Sequence, residues 1–472
     1  MLRPLLIVHR YTAVAVGLLV AMWCLSGFVM MYQDFPWFTP GERLQTLEPL
    51  DLHDCCNVDF LPDDSVALQG FRIEMLLGEP VIRQNGVTPM RLRSGTPQKP
   101  LTQSQLLGIA SGFAARRALA ADPVWLGAVD VDQWSIQAAS RNRPVQHLAL
   151  RDSTASEIYV NGATGEIFQD TTRRERALSW FGAIPHWLYF TALRSNGPLW
   201  SQVVIWTSVL GTFLTATGLY VGITRLQGGS DRRPASPFRG WWYWHHILGL
   251  VFGVLALTWV FSGLMTMNPW GLLESDGGAA IRSTLRGENH TRDLRRFIMS
   301  APEHLASGEF VQLQGEVQDG ELQVIARRAD GSLLRLDADA QPDPLDAVTV
   351  ERWLRELPEG VQGFERLDTT DAYYYAHKSE ATLPVYRAIL GDAGSTRLYV
   401  DPSTGSLSVV DVQVRRSRWL ISAMHSLDLR GLRSRPLWDI AVLLLLAGVA
   451  ALAITGSWMA LQRIRKDLSM RR

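Results

Sequence analysis

The sequence predicts an α-helical membrane protein with four transmembrane helices in a two-fold internal repeat, carrying two α+β periplasmic domains. Three observations lead there. Windows at 5–32, 199–223, 245–267 and 437–461 each reach the roughly 20 apolar residues that cross a hydrocarbon core as a helix. Two polar blocks, about 36–195 and 270–433, alternate with those windows, and the chain matches itself at shifts of 236–240 residues. Composition agrees: 472 residues with 46 basic and 46 acidic side chains, 47% hydrophobic residues and 17 tryptophans are too apolar for one aqueous core and too polar for a protein wholly in lipid.

The expected order is a first helix in 1–34, a periplasmic domain in 35–195 with an interfacial segment near 177–193, and a second helix in 196–224. A connector at 225–240 leads to a third helix in 241–268, a second periplasmic domain in 269–434 with an interfacial segment near 415–429, a fourth helix in 435–462 and a tail at 463–472. The first apolar run is too long for a signal peptide and lacks a small-residue cleavage site, so it is read as retained. Short basic stretches at Arg3, at Arg225, Arg232, Arg233 and Arg239, and from Arg463 to Arg472 put both termini in the cytoplasm and both polar blocks on the periplasmic side.

The repeat aligns His9 with His245, Gly17 with Gly253, Trp23 with Trp259, and Ser26-Gly27 with Ser262-Gly263. Further on, His186 meets His425, Tyr159-Val160 meets Tyr399-Val400, Thr164-Gly165 meets Thr404-Gly405, and Thr217-Gly218 meets Thr455-Gly456. From His9 one helical face runs through Ala13 and Gly17, and from His245 through Gly249 and Gly253, at the spacing that stacks positions on one stripe. A flat macrocycle on such a histidine needs that clearance, and imidazole is an axial ligand of haem iron. The same small residues also serve close helix packing. The repeat selects His245 over the adjacent His246 as the counterpart of His9.

His186 and His425 precede the second and fourth spans in aromatic or apolar segments suited to the interface. Two bis-histidine haems would use all four: His9 with His245 on the cytoplasmic side, His186 with His425 on the periplasmic side. Arg194 and Arg433, also repeat-related, are candidate contacts for haem propionates, with lipid phosphate as the alternative partner. Trp23, Trp206 and Trp259 lie within spans, where packing and anchoring compete with any electron-transfer role.

The polar blocks read as helix followed by a small antiparallel sheet. Residues 102–119 are helical with Thr102 or Ser104 as cap; β-type runs follow at 134–138, 145–150 and 157–160, with a turn at 161–165, and 346–410 repeat the order. No Ser-His-Asp set, His-Glu-x-x-His, P-loop or dinucleotide fingerprint is present, which argues against a hydrolase, an ATPase or a nicotinamide enzyme. Cys55-Cys56, beside His53 and Asp54, offers either a metal site or a disulfide that adjacent cysteines form awkwardly. Cys24 reads as a packing residue, Tyr373 to Tyr375 as sheet packing against a substrate-surface alternative, and His377 as a solvated histidine.

Several motifs together give the chain its resemblance to a known family. They are His9-Arg10-Tyr11, Ser26-Gly27, Asp371-Ala372-Tyr373-Tyr374-Tyr375, Leu383-Pro384-Val385-Tyr386-Arg387, Tyr399-Val400-Asp401-Pro402-Ser403-Thr404-Gly405, and Arg418-Trp419-Leu420 followed by His425-Ser426-Leu427-Asp428. Over nearly its whole length the chain resembles the PepSY-associated transmembrane proteins, which include FoxB-type inner-membrane ferric-siderophore reductases. The resemblance implies a bacterial inner-membrane location, PepSY-like periplasmic domains, haem b, and electron delivery to a periplasmic substrate. The first half departs from the pattern at Asp132-Gln133-Trp134, Arg143-Pro144-Val145-Gln146-His147 and Asn161-Gly162-Ala163-Thr164-Gly165, so the two periplasmic domains are not expected to share one role.

The expected function is therefore a di-haem b electron-transfer protein, an oxidoreductase acting on a ferric siderophore or other Fe(III) chelate and releasing Fe(II). Its electron donor would be a quinol or a cytoplasmic reductase, and no nucleic-acid partner is expected. Two further readings stand beside it: a non-enzymatic membrane protein that binds or regulates extracytoplasmic partners, and a metal or siderophore permease. Beyond Asp439 at the entrance of the fourth window, the spans hold no carboxylate for ion-coupled transport.

Overall fold

Uninterrupted apolar sequence carries four long helices, Leu2–Met30, Gly197–Arg225, Trp241–Thr266 and Leu437–Ser469. They are called spans one to four below, because each is long and apolar enough to cross a membrane. The computed structural model describes residues 2–68, 70–226, 236–376 and 381–469. Arg232, Arg233, His377 and the last residues of the basic tail lie outside them. Span two begins where Asn196 accepts a hydrogen bond from the Leu199 N–H, with a proline in the first turn, which satisfies one donor the helix leaves open.

The chain forms two compact units: 1–35, 175–274 and 413–472 make the helical unit, and 36–174 with 275–412 make the sheet-rich unit. In the helical unit, span one packs on spans two and four, and span three packs on the same two. The four thus close a ring in which spans one and three stand diagonally. Val20, Cys24, Ala256, Val442, Leu446 and Val449 fill the interior, so Cys24 is the packing residue its sequence context suggests. Gly448 is required there, since a Cβ would lie 2.3 Å from the Phe252 ring. Large apolar residues such as Leu18, Trp206, Val251 and Leu444 face outward, the distribution of helices whose surroundings are hydrocarbon. Short helices at Arg173–Phe181, Ala183–Trp187 and Thr191–Arg194 precede span two, and a π-helical stretch at Arg418–Ala423 precedes span four.

In the sheet-rich unit, helix Gln103–Arg116 starts at a Thr102–Gln105 capping box, and helix Ala347–Leu354 starts at Asp346. Each is followed by a four-stranded antiparallel sheet in sequential order. One runs Val124–Val129, Val145–Ala149, Glu157–Asn161, Ile167–Thr171; the other runs Val361–Leu367, Val385–Leu390, Arg397–Val400, Leu407–Val410. The expected strand at 134–138 is a turn instead. Asp132 Oδ1 accepts the N–H groups of Trp134 and Ser135, so these donors are taken from any ladder, and the strand forms earlier, at Val124–Val129.

A seven-stranded sheet was not legible in the sequence. Its order is Leu333–Leu336, Glu321–Arg327, Gln312–Gln318, Phe71–Leu76, Glu79–Gln84, Met90–Arg91, Thr96–Pro97. Phe71 pairs with Gly315 and Ile73 with Leu313, so the two polar blocks share backbone hydrogen bonds and fold as one unit where the sequence suggested two domains. Phe71, Ile73, Phe297, Leu313 and Val324 pack beneath this sheet.

Candidate functional site

The helical unit brings together every histidine that the repeat singles out. His9 of span one meets span two: its Nδ1–H donates to the Leu214 carbonyl at 3.1 Å, with Thr217 Oγ1 at 3.4 Å. His245 of span three meets span four in the same way, Nδ1 lying 3.1 Å from Thr455 Oγ1. His186, on the short helix before span two, donates from Nδ1 to Ser26 Oγ at 3.0 Å and to the Trp23 carbonyl at 3.2 Å. His425 does the same to Ser262 Oγ and the Trp259 carbonyl, both at 3.2 Å.

These contacts assign the tautomer. A carbonyl oxygen only accepts, so Nδ1 of His9, His186 and His425 carries the proton. The hydroxyl opposite His245 is committed elsewhere: Thr455 Oγ1–H donates to the Ala451 and Leu452 carbonyls, both at 2.9 Å, which leaves its lone pair for the His245 Nδ1–H. Nε2 of all four histidines then presents a lone pair and has no hydrogen-bond partner among the described residues. That is the state in which imidazole binds a metal, with the outer nitrogen held by an acceptor.

His246 is arranged differently. It is buried, its Nε2–H donates to the Gly222 carbonyl at 2.9 Å, and its Nδ1 lies 2.8 Å from Ser236 Oγ. Both nitrogens are used and the tautomer is opposite, so His246 clasps the end of span two and has no lone pair left for a ligand.

Glycines make room for the rings. A Cβ on Gly218 would lie 2.6 Å from His9 Cε1, and one on Gly456 would lie 2.9 Å from His245 Cε1, so each ring needs the glycine that follows its threonine. The stripe from His9 and His245 serves packing further along: a Cβ on Gly253 would meet Leu219 Cδ1 at 3.0 Å, and one on Gly17 would meet Ser457 Oγ at 3.6 Å.

Of the two expected pairs, His186 and His425 lie side by side. His186 and His425 have ring centroids 6.2 Å apart with planes inclined at 60°, which leaves room between the rings for one metal with two nitrogen bonds of about 2 Å. His9 and His245 stand on spans one and three, the diagonal pair of the bundle. Among the described residues no group of three or more His, Cys, Asp or Glu could hold a bare ion. Two imidazoles per site fit a metal that brings its remaining ligands in a macrocycle, and the residues present therefore fit haem.

The two candidate arginines differ. Arg194 lies over the rings of Trp200 and Tyr189, at 4.6 and 5.2 Å, with Nε buried and unpartnered among the described residues. Arg433 donates from Nε to the buried Asp428 Oδ1 at 2.6 Å, and Arg418 reaches the same carboxylate at 3.8 Å. Ser26, Ser262, Thr217 and Thr455 are site residues that the sequence offers only as repeat markers, and Asp428 only as part of the motif after His425. Their coincidence with the repeated histidines was the signal that they partner them.

Other candidates go elsewhere. Cys55 and Cys56 are joined as a disulfide beside the core under the large sheet. Tyr374 stacks on Tyr399 at 5.1 Å and Tyr373 lies under Arg397 at 4.5 Å, which is sheet packing. Trp23 and Trp259 enter the site through their carbonyls, whereas Trp206 faces outward.

The family model described as PepSY-associated TM region matches residues 6–463. No curated protein and no solved structure matches the chain.

Proposed function

The chain belongs to the PepSY-associated transmembrane family, and we propose that within it this protein is an inner-membrane di-haem b electron-transfer protein that reduces a ferric chelate, a siderophore complex in the first instance. The observation that carries this reading is the common state of four repeat-related histidines, each held at Nδ1 with Nε2 left open. His9 and His245 hold one haem, and His186 and His425 hold the other. Bound haem supplies one-electron transfer in the bundle interior.

The protein's own residues fix ligand geometry and separate the sites. Spans one and three contribute a histidine near one end and a serine near the other, so each helix serves both haems. Arg194, stacked and without a carboxylate partner among the described residues, takes a propionate more readily than Arg433, whose charge Asp428 already offsets. Hard oxygen donors hold Fe(III) more tightly than Fe(II), so one-electron reduction loosens the chelate. Both termini and the basic connector face the cytoplasm in this reading, and the sheet-rich unit faces the periplasm, where the chelate docks.

Detergent-purified protein made with ample haem supply is expected to carry close to two b haems per chain by pyridine haemochrome analysis. His245→Ala should remove about one and leave the other reducible, while His246→Ala keeps both. Chemically reduced protein should be reoxidised by a ferric siderophore with Fe(II) appearing in a ferrozine trap. Haem-free protein sinks the cofactor assignment, and haem whose reoxidation no ferric chelate affects sinks the reductase.

A further inference from the structure

Four hydroxyls stand between the histidines and the helix backbones, and none is free to do anything but accept. Ser26 Oγ–H donates to the Trp23 carbonyl and Ser262 Oγ–H to the Trp259 carbonyl, each at 3.0 Å. Thr217 Oγ1–H donates to the Phe213 and Leu214 carbonyls at 2.8 and 3.0 Å, and Thr455 Oγ1–H to those of Ala451 and Leu452. Each hydroxyl proton is therefore spent on its own helix one turn back, and the oxygen lone pair faces a histidine Nδ1–H. All four hydroxyl residues are buried, so water does not compete for that lone pair.

We infer that Ser26, Ser262, Thr217 and Thr455 are positioning residues that set the redox potentials of the two sites separately, the serines acting on the His186–His425 site and the threonines on the His9–His245 site. The inference rests on the haem reading given above. An acceptor on the far nitrogen makes an imidazole more electron-rich and a better ligand for the oxidised metal, and such outer partners typically change metal affinity by about 10–100-fold. Removing the hydroxyl weakens that push without removing the ligand. At His186, His425 and His9 a backbone carbonyl remains to hold the ring. The two hydroxyl pairs do not share a histidine, so each should act on one site alone.

Redox titration of the purified holoprotein tests this. Ser26→Ala with Ser262→Ala should raise the midpoint of one haem wave and leave the second where it is. Thr217→Val with Thr455→Val should raise the complementary wave. The expected size is on the order of tenfold in the one-electron equilibrium constant, about 59 mV. Thr217→Ser with Thr455→Ser keeps the hydroxyls and should keep the wild-type wave, which separates a hydroxyl effect from a packing effect. A double variant that loses one haem instead overturns the inference, because the hydroxyls would then hold the ligand and not set its potential. Two haems at wild-type content with both waves unmoved in both double variants would overturn it, as would both variants moving the same wave. Wild-type protein without haem fails the cofactor reading itself and is read from haem content before any titration.

Discussion

Two hairpins meet at the centre of the seven-stranded sheet, and they treat the same position in opposite ways. Glu74 and Glu316 each stand two residues before the last pair of their hairpin, Leu76 with Glu79 and Gln318 with Glu321. Glu74 is buried and ringed by Arg43, Arg72 and Arg83, with Glu166 sharing the same arginines and Gln312 donating a further bond. In the second hairpin the positions matching Arg72 and Arg83 are Gln314 and Ile325, and the turn residue matching Glu166 is Ser406. There Glu316 is exposed, and a polar cleft of about 450 Å³ opens between Gln314, Gln323, Arg327, Asp401 and Ser406. The ties to the overlying turns persist on both sides, Arg83 Nη1 to the Thr164 carbonyl and Gln318 Nε2 to the Thr404 carbonyl. One scaffold thus carries a locked half and an open half, and three of the differences between them are Arg72 against Gln314, Arg83 against Ile325 and Glu166 against Ser406.

The largest test of that contrast is Glu74→Gln. It takes the nearer carboxylate from buried Arg83, leaving it Glu166 at 3.7 Å, and breaking one partner of a buried ion cluster costs about 3–5 kcal/mol. Glu316→Gln removes an exposed charge and should cost within about 0.5 kcal/mol. Thermal unfolding in detergent should separate the two by many degrees, and equal midpoints would refute the distinction. Acid should tell the same story. Burial raises the Glu74 pKa, yet Arg43, Arg83, Arg72 and the Gln312 bond overcome it and hold the carboxyl down to about 2. A group depressed in the folded state stabilises above its unfolded value and loses that contribution as pH falls through the folded one. Wild-type protein should therefore lose about 3 kcal/mol between about pH 4.5 and pH 2 from this residue, and Glu74→Gln should lack that segment of the profile.

A smaller contrast lies beside the outer histidines. Arg433→Met removes the nearest charge partner of Asp428, 2% exposed, with Arg418 at 3.8 Å, and should cost about 3 kcal/mol. Arg194→Met removes stacking on Trp200 and Tyr189 and strands no acid, so about 0.5–1 kcal/mol is expected. The order reverses if Arg194 is the residue that balances an anion in the resting protein, and a larger loss at Arg194 in haem-loaded than in haem-free protein would reveal it.

Much of the site was legible because its residues repeat and its spans are apolar. His9 and His245 could be chosen over His246 from register alone, and the hydrogen bonds at Gly222 and Ser236 give the reason for the choice. Thr102–Gln105 announced its helix through local chemistry that needs no tertiary partner. The pairing of Phe71 with Gly315 was not legible, since it joins residues 244 positions apart and strand pairing has no local signature. The strand misplaced at 134–138 failed for a related reason: β-type composition there is overruled by one aspartate that captures two backbone donors. Asp428 stands in the sequence only as the end of a motif, because its role depends on Arg418 and Arg433 closing on it in space.

The smallest expected difference concerns the two four-stranded sheets, which share one lock and differ in what supports it. Tyr159 donates to Asp132 Oδ2 at 2.6 Å and Tyr399 to Asp371 Oδ2 at 2.7 Å, both rings being fully buried. In the second sheet Arg387 also donates to Asp371 Oδ2, at 2.7 Å. The matching position in the first sheet is His147, which stacks on Tyr159 at 4.5 Å and bonds to Glu157 at 3.0 Å without reaching the aspartate. Tyr399→Phe therefore leaves its carboxylate oxygen with a charged donor, while Tyr159→Phe leaves Asp132 Oδ2 without a side-chain donor among the described residues. Hydrogen bonds to charged groups contribute about 1.5–3 kcal/mol, so Tyr159→Phe should cost about 2 kcal/mol and Tyr399→Phe about 1 kcal/mol. Replacing Arg387 by Met should erase that gap, raising the cost of Tyr399→Phe to the level of Tyr159→Phe. If the gap survives in the Arg387→Met background, the guanidinium is not what distinguishes the two sheets.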